Sequence, residues 1–210
     1  MKRIHKERDR LLRRLARVTG LVGAASAFAC LLVPGATVPA QLAVTVTTSI
    51  GVAVLVGVHT ARGAMVPALA IVAGSILLIL VLGAGSVSNP ATITAMAVTG
   101  GGTSASVAIT LVVRPRGPLL VTGLVAAMLV AVWVASAWGH DVRAVAVATV
   151  AGWAACIALS TWMNRAIAHA VERIDEVGRA HEAERLASEL EAQQRQDARV
   201  LHDTVLATLS

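Results

Sequence analysis

The sequence predicts an all-α protein, a six-helix transmembrane bundle followed by a long cytoplasmic coiled-coil helix. Three observations carry that expectation. First, 56% of the 210 residues are apolar, only 14% are charged and the mean hydropathy is +0.74, whereas charge makes up about a quarter of a soluble domain. Second, the charge sits at the two ends: between residues 18 and 163 the only Lys, Arg, Asp or Glu residues are Arg62, Arg114, Arg116, Asp141 and Arg143. Third, after residue 163 the composition turns abruptly to Glu, Arg, Ala, Gln and His with no proline, which suits one uninterrupted helix.

Residues 1–17 form a basic arm with eight Lys or Arg against Glu7 and Asp9, and this accounts for the whole formal charge of +6. A basic arm beside a hydrophobic segment is drawn to anionic lipid headgroups at about 1 kcal/mol per cation. Anionic lipid is therefore the expected partner of the arm, and no direct nucleic-acid partner is expected. Cys30 and Cys156 lie in separate apolar stretches without metal or redox spacing, so they read as small buried hydrophobes.

Crossing the hydrocarbon core takes about 20 apolar helical residues. Six stretches qualify within residues 18–163, namely 18–32, 42–58, 66–82, 91–113, 119–138 and 142–163. Leu11, Leu12 and Leu15 extend the first helix into the basic arm. The prolines fall at breaks and helix starts (Pro34, Pro39, Pro67, Pro90, Pro115 and Pro118), where a missing N–H is tolerated. Basic and neutral loops alternate along the chain, which places both termini in the cytoplasm by the positive-inside rule. Arg143 alone runs against the alternation, two residues from Asp141.

A cleaved signal peptide ending at Val38-Pro39-Ala40 is the competing reading of the first span. A basic region of seventeen residues with further spans immediately after it fits a membrane helix better. Trp138 and Trp162 suit opposite interfaces, while Trp133 and Trp153 fall deeper, where packing is expected. The external connections are at most about nine residues, too short for a folded ligand-binding domain, so any stimulus acts within or at the bilayer. In the fourth span the run Thr99-Gly100-Gly101-Gly102-Thr103-Ser104 favours close helix packing. Its alternative is a polar break for a ligand or ion.

Residues 164–197 form the expected coiled-coil helix. Ile167, Ala170, Ile174 and Val177 keep spacings of three and four, as do Ala183, Leu186 and Leu190, followed by Val200. The two sets are out of step by two residues, with Gly178 in the gap. This describes a two-stranded coil with a register interruption, and hence a homodimer. Asp175 with Arg179 and Glu191 with Arg195 are acid-first pairs at i, i+4.

The chemistry lies in residues 198–210. His202 and Asp203 are neighbours flanked by Val200, Leu201, Val205, Leu206 and Leu209. A carboxylate that accepts one imidazole N–H fixes the tautomer and leaves the other nitrogen as a nucleophile. The segment Arg199-Val-Leu-His202-Asp203-Thr-Val-Leu-Ala207-Thr-Leu209 resembles the first helix of the dimerisation and histidine-phosphotransfer domain of two-component sensor histidine kinases. The likeness is to the subfamily of the nitrate and membrane-fluidity sensors and covers about the last twelve residues. It implies that His202 is the phosphoacceptor, Asp203 the base or orienting group and Arg199 a flanking residue. It also implies a response regulator as partner, and ATP with Mg held by a kinase domain rather than by these residues.

Two positions depart from the family pattern. Val200 stands where an acid is common, and Ala207 where a Gln often assists dephosphorylation. The family's ATP-binding domain has no counterpart before Ser210, so the 210 residues are not expected to be active alone. They read as the sensor portion of a longer kinase, or as a shortened form served in trans. The rival readings are a small transporter or channel, and a non-catalytic membrane scaffold with an oligomerisation helix.

Overall fold

The computed structural model describes the backbone of residues 2–62, 64–85, 89–137 and 142–209, and the side chains of residues 7–61, 64–85, 89–137, 142–196 and Arg199. Apart from the turns that join the helices, the described residues are helical, with no strand among them. They fall into two compact units, Met1–Asn164 and Arg165–Ser210.

In the first unit, α1 spans Lys2–Leu31, α2 Pro39–Arg62, α3 Met65–Gly83, α4 Pro90–Val98, α5 Ser106–Leu111 and α6 Gly117–Ser136. The unit also contains the start of α7, Arg143–Leu209. Among the described residues five stretches, in α1, α2, α3, α6 and α7, are long and apolar enough to cross a membrane. The expected fourth span is not one helix. A five-residue π-helical turn, Thr99–Thr103, separates α4 from α5. The glycine run is the physical reason: three consecutive residues without Cβ hold the α-helical hydrogen-bond ladder weakly and let it widen.

The starts and ends follow local chemistry. α1 begins inside the basic arm, as Leu11, Leu12 and Leu15 suggested, and Leu12 is buried. Gly35 in the α1–α2 connection has φ +78°, the only left-handed residue described, and glycine adopts that conformation without steric cost. Asn89 caps α4 by accepting the Ala91 N–H at 2.9 Å, with Pro90 at the first helical position. Thr92 then donates to the Ala36 carbonyl at 2.5 Å and ties α4 to the first loop.

Two apolar clusters hold the first unit together. One joins Leu12 and Ala16 of α1, Val52 and Val56 of α2, Ile71 of α3, Ile109 and Leu111 of α5, Val121 of α6 and Trp153 of α7. The other joins Leu31, Leu78, Ile79, Met96, Met128, Val132 and Val145. The short α5 is the most enclosed element: all its residues but Thr110 are buried. The broken fourth segment therefore sits inside the bundle and is walled by its neighbours. Cys156 belongs to the first cluster and the half-buried Cys30 packs against the second. Trp153 is buried as expected, but Trp133 is 74% exposed and faces outward from the bundle instead of packing.

In the second unit every described side chain from Glu172 to Gln196 is exposed, including Ile174, Val177, Leu186 and Leu190. Glu191 and Arg195 form the expected pair at 3.2 Å. Arg179 instead donates to the Asp175 backbone carbonyl at 3.3 Å. Arg185 with Glu189 at 3.0 Å and His169 with Glu172 at 3.3 Å add pairs that the periodicity did not single out.

Candidate functional site

Opening an α-helix into a π turn frees backbone groups that lipid cannot satisfy. Here side chains take them up. The Ser104 N–H reaches back five residues to the Thr99 carbonyl at 3.1 Å. The Gly100 carbonyl accepts from Ser104 Oγ at 2.6 Å and from the Trp153 indole Nε1–H at 3.1 Å. Ser106 Oγ donates to the Thr103 carbonyl at 2.7 Å, and Ser160 Oγ donates across from α7 to the Ile109 carbonyl at 2.9 Å. Polar side chains on α7 thus fasten the broken segment at two levels.

The glycines set the spacing. A Cβ on Gly152 of α7 would fall on the Gly101 carbonyl, and one on Gly101 would fall on the Ala148 carbonyl. On the other side, a Cβ on Gly23 of α1 would come within 2.8 Å of the Thr103 nitrogen. Backbone meets backbone on both faces of the turn, as small residues at membrane helix interfaces allow. This geometry supports the close-packing reading of the glycine run.

Little space is left for a ligand at the break. A void of about 10 Å³ lies among Ala24, Ala27, Ser49, Val52, Leu78, Thr99 and Thr103, close to the minimum for one water. Thr103 Oγ1 is buried there without a hydrogen-bond partner, and Ser75 Oγ is likewise unpartnered.

His59 was not singled out by the sequence reading, yet it is 2% exposed and links three elements. Its Nδ1 lies 3.0 Å from the Ala64 carbonyl, just ahead of α3, and its Nε2 lies 2.8 Å from Thr110 Oγ1 on α5. A carbonyl only accepts, so Nδ1 carries the proton. In the neutral ring Nε2 accepts from the Thr110 hydroxyl, which then cannot also donate to the Val107 carbonyl 3.1 Å away. The one signal in the sequence was a lone histidine at the end of an otherwise uncharged span.

The Arg199–Asp203 motif lies in helical backbone. Arg199, His202 and Asp203 all fall within α7, and Arg199 is exposed. The side chains of His202 and Asp203 lie outside the described residues. Helix geometry turns successive positions roughly 100° apart, whereas positions three and four apart share a face. Arg199 therefore shares a face with both His202 and Asp203, while those two are not facing neighbours within one helix. Among the described residues no group of three His, Cys, Asp or Glu is placed to hold a metal ion.

Together the geometry defines a membrane-type helical bundle with a discontinuous, buried fourth segment and a long terminal helix. No family model, curated protein or solved structure matches the chain.

Proposed function

We propose that the protein is the membrane-sensor portion of a two-component histidine kinase. It spans the inner or plasma membrane six times, with the discontinuous α4–α5 segment as the fourth crossing and both termini in the cytoplasm. Residues 164–197 pair as a homodimeric coil, and His202 is the phosphoacceptor. Its free imidazole nitrogen attacks the γ-phosphorus of ATP presented by a kinase domain; an N–P bond forms as the bond to the ADP oxygen breaks. Asp203 takes or orients the imidazole proton, and Arg199 flanks the site. A response-regulator aspartate then receives the phosphoryl group.

The observation that carries this reading is the Arg199-Val-Leu-His202-Asp203 segment in helical backbone at the end of α7, the same helix whose first residues are apolar enough to cross a membrane. The exposed Ile174, Val177, Leu186 and Leu190 support a coil, since they keep a coiled-coil spacing and are 61–68% exposed. The test supplies an ATP-binding kinase domain in trans to the chain in nanodiscs and measures acid-labile phosphate. His202→Gln is expected to abolish labelling. Undiminished labelling of that variant overturns the proposal.

The transporter reading draws on one feature, the break in the fourth segment. Carbonyls at the break are held by Trp153, Ser104 and Ser106, and the adjoining void holds about one water. Substrate flux through proteoliposomes above the protein-free rate would favour that alternative.

A further inference from the structure

Four arginines of α1 stand at positions 10, 13, 14 and 17, the i, i+3, i+4, i+7 spacing of one helix face. With Thr60 and Ala61 at the end of α2 they line a cleft of about 300 Å³. The only carboxylate paired with any of them among the described residues is Glu7, 4.0 Å from Arg10. Like charges at this spacing repel one another, and an anion on this face relieves that repulsion.

The cleft is also organised. Thr60 is buried and its hydroxyl donates to the Val56 carbonyl at 2.8 Å, so its oxygen accepts from Arg17 Nε at 3.0 Å. That bond fixes the Arg17 fork while using one of its five N–H groups. Arg13 is half-buried beside it. The apolar run of α1 begins at Val18 and that of α2 ends at Val58, so the arginines stand where each helix changes from apolar to polar. In a membrane this is the depth of the lipid phosphates.

We infer that the α1–α2 cleft is a phosphate-binding site, formed by Arg10, Arg13, Arg14, Arg17 and Thr60, for the headgroup phosphate of an anionic phospholipid. Planar guanidinium forks match phosphate oxygens two at a time, which an ammonium does not. This separates a formed site from diffuse attraction between the arm and an anionic surface, which counts charge and ignores its shape. A lipid held there bridges α1 and α2. The inference is independent of the phosphotransfer proposal, and His202 plays no part in its test.

The test uses the full chain purified in detergent and incubated with phosphatidylglycerol, with phosphatidylcholine, or with inorganic phosphate at matched ionic strength. Bound species are read by native mass spectrometry. Wild type is expected to retain phosphatidylglycerol over phosphatidylcholine. The charge-conserving variant R10K/R13K/R14K/R17K is expected to lose about tenfold in affinity, and R179Q/R185Q/R195Q, which removes three charges elsewhere, is expected to match wild type. Thr60→Val keeps every charge and releases Arg17. It is expected to lose about threefold and carries the test if the lysine variant does not fold. Inorganic phosphate binding with the same variant pattern upholds the site with soluble phosphate as occupant. Equal lipid retention by wild type, the lysine variant and Thr60→Val overturns the inference, as does failure of wild type to retain either phosphate source.

Discussion

The polar residues of the bundle act over long sequence separations. His59 meets Thr110 across 51 residues, Trp153 meets Gly100 across 53, and Ser160 meets Ile109 across 51. Replacing Trp153 by Phe keeps most of the packing and deletes one N–H, so thermal unfolding in detergent should report a loss of about 1 kcal/mol. His59→Leu should cost more, about 1–3 kcal/mol, because it strips a partner from both the Ala64 carbonyl and the Thr110 hydroxyl. Gly152→Ala is expected to be worse than either, since its Cβ would fall on the Gly101 backbone and α7 would have to move away. Gly123→Ala is the matching control: nothing lies within 4 Å of the added carbon, and alanine should stabilise α6 by about 0.4–1 kcal/mol. If Gly152→Ala and Gly123→Ala unfold alike, the α7 contact with the π turn is not a close one.

Among the elements, five apolar stretches long enough to cross a membrane were legible in the sequence because composition and proline placement act locally. The fourth was legible only in part. The glycine run marked residues 100–102 as unusual, but the choice between a continuous helix and a π turn depended on α1 and α7, which the run itself does not contain. Trp133 shows the same limit: depth along a span is readable, whereas the face a side chain occupies depends on which neighbours pack there. Arg179 shows it at shorter range, because i, i+4 spacing allows a carboxylate pair but the Asp175 carbonyl offers an equivalent partner. Of the candidate site, the helical backbone of Arg199, His202 and Asp203 was readable, since it is local to α7. His59 was not, because its role is made by partners on other elements. For the second unit, the spacing of Leu186 and Leu190 predicts that Leu186→Lys with Leu190→Lys dissociates the proposed dimer, read by analytical ultracentrifugation in detergent. A single species of unchanged mass would remove the coil from the account.

At the scale of the whole molecule, the proposal joins a membrane bundle to a histidine that must meet ATP and a response regulator. The basic arm, the Arg62 loop and the Arg114–Arg116 loop all fall on one side of the alternation, and the two uncharged loops fall on the other with the loop that pairs Asp141 with Arg143 in sequence. Six crossings are required for α7 to leave on the basic side, so the discontinuous α4–α5 segment must count as a crossing. Five crossings with a cytoplasmic N-terminus would carry His202 out of reach of ATP. A pair of topology reporters, one active only in the cytoplasm and one only outside, fused after Ser210 in the intact chain tests this directly. Activity of the cytoplasmic reporter alone is the predicted result, and activity of the external reporter would contradict the assignment of His202 as a phosphoacceptor.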